Sequence, residues 1–193
     1  MNSEQAEQKL KGYLGEKRFN HSKATADAAK LIANVNSYKY PHKAYLAGLL
    51  HDIAKDLPNY KLLELAKKYN YKIINTEYHN MTLLHAPIGS LICKYELEIL
   101  DQELLSAIRY HTTGKKNMSL LQKILYMADS TEQYRSYEGI EELRAISLIN
   151  LNKAVYLNEK RKLIKLINQD KIICKNSLEC YNDLALKVNS FLP

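Results

Sequence analysis

The sequence contains no tryptophan and only two phenylalanines, so its fifteen tyrosines carry nearly all of the aromatic content. Six glycines and four prolines in 193 residues leave little punctuation for hairpins and tight loops. Sustained alternation of apolar and polar residues is also absent, which excludes a sheet fold and leaves helices joined by short turns. Cysteine is scarce: Cys93, Cys174 and Cys180 are odd in number, widely spread and without a C-x-x-C pair. A disulfide framework and a thiolate zinc site are thereby excluded. No apolar run approaches the roughly 20 residues that span a bilayer. The longest, around residues 45–51, is interrupted by Gly48 and ends on His51 and Asp52. Residues 1–11 mix charges of both signs and show no apolar stretch with a small-residue cleavage site, so a cytoplasmic protein without a membrane partner is expected.

What is present is an ordinary globular composition, 46% hydrophobic and 25% charged, at a length that suits one domain. The 28 Lys and Arg against 21 Asp and Glu give a net charge of +7, which favours an anionic partner without choosing among nucleic acid, phosphate-rich small molecules and acidic lipid. Helical spacing is clear over 21–33, with Ala24, Ala28, Leu31 and Ile32 on one stripe. Pro41 opens a helix predicted over 41–55 through Ala44, Ala47, Leu50 and Ala54, and Pro58 opens a short one through Leu62, Leu65 and Ala66. Residues 69–77 are polar and predict a loosely packed connection. Three further helices are predicted over 87–98, 101–110 and 119–133. From Ile140 a long stripe runs through Leu148, Leu151, Val155 and Leu157, with a break near Asp170 and a last helix from Ser177. The expected fold is all-α, one compact domain over 1–193, with its core at about 10–145 and a C-terminal helical extension at about 146–193.

All six histidines lie between His21 and His111, so imidazole chemistry is confined to the N-terminal part. Four histidines and two aspartates fall in five short stretches: RFNHS (18–22), GLLHDIAK (48–55), LLHAPIG (83–89), AIRYHTTG (107–114) and LYMADSTEQYR (125–135). Imidazole and carboxylate without nearby thiolate suit manganese, iron, cobalt or zinc in a catalytic site. His51 and Asp52 interrupt an apolar helix with two groups that are costly to bury unless paired or coordinated. Helix neighbours diverge by about 100°. Both residues therefore reach one ion only in a crevice between helices, with His21 and Asp129 completing the shell. Lys55, four residues after His51, falls on the same face and suits a cation that clamps phosphate. Plainer readings stand beside these. His85 fits a helix entry and His111 a helix end with Gly114 as the stop, and His42 and His79 are surface residues. Tyr126, Phe19, Tyr38 and Tyr45 are core candidates. Arg18, Arg109, Arg135 and the lysines of 153–171 are by default solvated cations.

The order His21, His51-Asp52, Asp129 resembles the H…HD…D pattern of the HD superfamily of metal-dependent phosphohydrolases, and the five stretches resemble one branch, the bacterial YqeK-type symmetrical diadenosine tetraphosphate hydrolases. The likeness covers about residues 10–145. It implies an all-helical fold, a binuclear centre usually taken as iron, with manganese, cobalt or zinc as substitutes, and hydrolysis of diadenosine tetraphosphate to two ADP by metal-activated water. Carried over position by position, His21, His51, Asp52 and Asp129 match the core ligands. His85 and His111 match the pair that builds a second metal position, and Asp52 bridges. Asp52 and Lys55 then stand as catalytic residues, and Arg18, Lys55, Arg109, Thr112, Thr113 and Arg135 as candidates for substrate phosphates, with Tyr126 as a base-stacking alternative.

Three rivals remain at this level. Another phosphohydrolase of the superfamily would act on a different nucleotide with the same metal core. A di-iron oxygenase would use the same ligand set for dioxygen, although Lys55 and the basic charge favour phosphate. A helical RNA-binding module would use the lysines near 160–165 and hold no metal, a reading the six ligand positions disfavour. A homo-oligomer is compatible with all of them.

Overall fold

The computed structural model describes residues 1–189; residues 190–193, the end of the expected C-terminal extension, lie outside the described residues. Eleven α-helices and one 3-10 turn, and no strand, occur among the described residues: α1 Ser3–Leu10, α2 Glu16–Val35, α3 Pro41–Leu50, α4 Asn59–Lys68, α5 Asn75–His79, the 3-10 turn Met81–Leu84, α6 His85–Tyr95, α7 Gln102–Tyr110, α8 Leu120–Thr131, α9 Ile140–Ile149, α10 Leu151–Asn168 and α11 Lys175–Asn189. Local chemistry sets many of these ends. Pro41 starts α3, the Asp101 carboxylate accepts from Leu104 N at 3.0 Å to cap α7, and Ser119 and Gln122 form a reciprocal cap on α8.

The long helix α2 lies against α3 and α8, while α6, α7 and α8 pack in succession and α10 crosses α8 with α9 and α11 beside it. Leu49, Leu50, Ile53, Ile88, Ile92, Ile108, Ile124 and Leu125 fill the shared core without measurable exposure. The approach of α3 to α2 is close enough that a Cβ on Gly48 would stand 2.5 Å from Ala26 Cα. Small residues at the crossing, Ala26, Ala29, Ala44 and Ala47, permit it. A polar tie joins α10 to α8: the fully buried Tyr126 hydroxyl donates to the fully buried Glu159, and Lys162 Nζ donates to Thr112 O at 2.7 Å and to the Tyr126 hydroxyl at 3.0 Å.

Four expectations change. The helix predicted over 41–55 ends at Leu50, after which Ile53 N bonds Leu50 O at 3.1 Å and Lys55 N bonds Asp52 O at 2.8 Å. This tight three-residue pattern winds His51 and Asp52 out of the helix, so the 100° divergence does not govern them. Residues 69–77 are not loosely packed: Tyr69, Tyr71 and Ile73 pack against the core, and Glu77 is buried, accepting from the Tyr71 hydroxyl at 2.8 Å and from Ile74 N at 3.1 Å. The C-terminal stripe is split at Asn150, whose side chain caps α10 by accepting from Lys153 N at 3.0 Å. Tyr126 offers no face for base stacking, because its ring is wholly buried.

Candidate metal centre

The six expected ligands come from five segments and meet where helices end. His21 projects from α2, His51 and Asp52 follow the last turn of α3, His85 opens α6, His111 follows α7, and Asp129 stands in the last turns of α8. The four histidines and Asp52 are buried, and Asp129 is partly buried.

Every imidazole is oriented from behind. His51 Nδ1 donates to Gly48 O at 2.7 Å, His111 Nδ1 to Ile108 O at 2.8 Å, His85 Nδ1 to Thr82 O, and His21 Nδ1 to the Glu132 carboxylate at 3.2 Å. These partners only accept, so the ring proton belongs on Nδ1 and the Nε2 lone pair faces the centre. His21 and His51 oppose their Nε2 atoms at 3.2 Å, and His85 and His111 at 3.1 Å. Asp52 lies between the two pairs. Its Oδ2 is 3.5 Å from His51 Nε2 and 3.7 Å from His21 Nε2, and its Oδ1 is 3.1 Å from His85 Nε2 and 3.5 Å from His111 Nε2. Asp129 Oδ1 joins the first pair, 3.1 Å from His21 and 3.7 Å from His51. Two close donor groupings result, His21–His51–Asp129 and His51–Asp52–His111.

A buried set of lone pairs facing one another is repulsive unless a cation or proton sits among them. The donor set therefore fits a metal, and its nitrogen and oxygen composition fits a first-row transition ion. The electrostatics agree. Burial opposes charge on Asp52, yet the surrounding imidazoles, His51 first and then His111 and His85, hold its carboxyl well below the usual carboxylate range. Burial likewise opposes charge on Asp129, which the neighbouring imidazoles of His21 and His51 bring well below that range. Burial works to lower the His51 pKa, but the two aspartates outweigh it and raise it. His111, without that surplus, is pushed down by burial to about 4.

Cations ring the cluster. Arg18 Nη1 is 2.8 Å from Asp52 Oδ2, Arg135 Nη2 is 2.7 Å from Asp129 Oδ1, and Lys55 Nζ is 3.3 Å from His85 Nδ1. Burial lowers the Lys55 pKa. Arg109 is not brought to the centre: its guanidinium donates to the Tyr71 hydroxyl at 2.5 Å and to Glu77 at 3.3 Å. The Thr113 hydroxyl is spent on Gly114 O at 3.0 Å, and Thr112 contributes its carbonyl to Lys162. Glu132 was not among the sequence candidates. It is buried, orients His21, and accepts from Tyr134 N at 2.6 Å. Its signal was a carboxylate three residues after Asp129, which reads equally as a surface group at a helix end.

Comparison with known proteins agrees with this geometry. The HD domain family model matches residues 18–134. The symmetrical bis(5'-nucleosyl)-tetraphosphatase of Halalkalibacterium halodurans is 34% identical over 97% of this chain and 99% of its own. That of Staphylococcus aureus is 33% identical over 94% of both. A solved structure from Clostridium acetobutylicum, described as a predicted HD superfamily hydrolase involved in NAD metabolism, superposes with a TM-score of 0.92 at 35% identity, covering 97% of this chain and 98% of that one. With its histidine and aspartate cluster in place and its relatives matched over nearly their whole length, this chain belongs to the HD domain family of hydrolases, in the branch that holds these tetraphosphatases.

Proposed function

We propose that this protein hydrolyses dinucleoside tetraphosphates symmetrically, diadenosine tetraphosphate giving two ADP, at a binuclear centre held by His21, His51, Asp52, His85, His111 and Asp129. Iron is the proposed resident ion, with manganese, cobalt or zinc as substitutes the donor set admits. One observation carries the reading: the two oxygens of Asp52 face different histidine pairs, the arrangement a carboxylate shared by two ions requires. When bound, the metal supplies Lewis-acid charge and lowers the pKa of water.

The side chains supply position and charge. Arg18 and Arg135 pair with Asp52 Oδ2 and Asp129 Oδ1, the same oxygens that face the His21–His51 pair, and so bring two cations to the centre where they can meet anionic phosphate oxygens. Lys55 adds a cation beside His85, held at short range by its three-residue turn from Asp52. Thr112 remains the hydroxyl available for a phosphate oxygen, whereas Arg109 and Thr113 act in the framework. Symmetrical cleavage requires water to attack the second phosphorus from one nucleoside. The bond to the central bridging oxygen breaks, and that oxygen departs with the other nucleoside diphosphate and takes up a proton.

The test is product chromatography after incubating the metal-loaded protein with diadenosine tetraphosphate. ADP as the sole nucleotide product is expected. AMP with ATP would overturn symmetrical cleavage, and no turnover would overturn the substrate.

A further inference from the structure

Beside the metal centre a cleft of about 480 Å³ opens between the end of α8, residues 135–137 and one face of α10. Asp129 forms its inner wall, so the cleft is continuous with the ligand cluster, and Arg135, Arg161, Lys162 and Lys165 line the remainder with Tyr137. Residues 161, 162 and 165 fall on one helical face by their three- and four-residue spacing. We infer that this cleft is the seat of the phosphates on the far side of the bond to be cleaved, and that α10 is a substrate-binding element and not a scaffold with a solvated lysine face. The inference rests on the tetraphosphatase reading above and extends it from the centre to the bound chain of phosphates.

The charges in the cleft are directed and incompletely compensated. Arg135 is paired with Asp129, and Lys162 has Glu159 at 3.9 Å. Arg161 and Lys165 form no ion pair among the described residues. Two of the four cations are fixed by uncharged acceptors, which orient them without cancelling their charge. The Arg161 guanidinium donates to Glu138 O at 2.6 Å and lies over the Tyr137 ring at 4.5 Å from its centre. Lys162 donates to Thr112 O and to the Tyr126 hydroxyl. Four cations facing one carboxylate, itself assigned to a metal, recognise a ligand with several adjacent negative charges that begins at the metal. A nucleoside diphosphate in covalent continuity with the attacked phosphorus has that chemistry. An isolated monoanion would use only part of the wall.

The test compares the metal-loaded wild type with Lys165→Glu and Arg161→Gln. Lys165 is exposed and without an ion pair, so its reversal does not threaten folding; circular dichroism and metal content serve as controls. Two quantities are read: KM for diadenosine tetraphosphate and the calorimetric Kd for ADP. Each variant is expected to raise both by about tenfold, the loss of one charge-assisted contact, with kcat within about twofold and metal content unchanged. Unchanged KM and Kd in both variants, with a wild type that does turn over the tetraphosphate, would overturn the cleft assignment and leave the proposed function intact. A wild type without tetraphosphatase activity whose ADP affinity nevertheless falls in both variants would overturn the function and leave the cleft standing. A fall in kcat with unchanged affinity would also overturn the assignment, because it would move these residues to the chemical step.

Discussion

At the residue scale, the centre depends as much on what stands behind each ligand as on the ligand. Glu132 fixes the His21 ring through Nδ1 from a buried position, and partners of this kind typically govern metal affinity or activity by 10- to 100-fold. Glu132→Ala should lose about that factor, and Glu132→Gln, which keeps an acceptor oxygen, should lose less; metal titration followed by turnover separates the two. Protons compete with metal for the same lone pairs. The His51 pKa is raised by Asp52 and Asp129 against the effect of burial. A raised value means the proton binds at higher pH than on a free imidazole, so the apparent metal affinity should start to weaken as pH falls while still above about 6.5. An apparent metal Kd that does not rise between about pH 7.5 and about pH 5 would contradict this. The clustering of these four histidines and two aspartates was readable because such residues stand out in an apolar setting and their order is specific. Glu132 was not, since nothing in a single sequence separates a buried carboxylate that orients a ligand from one at a solvated helix end.

At the element scale, the motif works because α3 stops early. His51 and Asp52 leave the helix in a tight turn whose first anchor is the Gly48 carbonyl, and Gly48 is also the point where α3 touches α2. The close approach thus couples the His51 imidazole to the helix that carries His21. In Gly48→Ala the added methyl would meet Ala26 Cα at 2.5 Å and Ala26 N at 2.7 Å, both backbone atoms, so the helices must separate. Overpacking of this kind costs about 1–3 kcal/mol. Calorimetry should therefore show a lowered Tm, and the variant should bind metal more weakly than wild type; an unchanged Tm would mean the crossing is more compliant than its geometry indicates. The order of the longer helices was legible from apolar spacing and proline starts, whereas α1, α5 and the division of the C-terminal stripe into α9 and α10 were not. The end of α3 was not, because Ile53 and Ala54 continue the apolar pattern while the backbone has already tightened. Residues 69–77 misled for the opposite reason. Their polar composition hides Tyr71 and Glu77, which are buried by pairing with Arg109, a partner 32 residues or more away in sequence.

At the scale of the whole molecule, the excess of basic residues finds a local meaning. Part of the net charge of +7 is gathered where α10 passes the metal centre, and α10 is held there by the buried Tyr126–Glu159 bond and by Lys162. Composition predicted an anionic partner but had no means of concentrating that charge on one face, because the register between α8 and α10 is set by packing. The all-helical fold followed from periodicity and the scarcity of glycine and proline; the reaction class followed from the ligand pattern and the family it resembles. No helix among the described residues is long and apolar enough to cross a membrane, as the short apolar runs predicted. The account as a whole turns on Asp52 serving two ions at once. The decisive measurement is metal content per chain by elemental mass spectrometry after anaerobic purification, made on wild type and Asp52→Ala alongside turnover. About two ions per wild-type chain are expected, with loss of metal and abolished turnover in the variant while its helical spectrum persists. Full turnover by Asp52→Ala, or by a wild type holding a single ion, would contradict the binuclear centre.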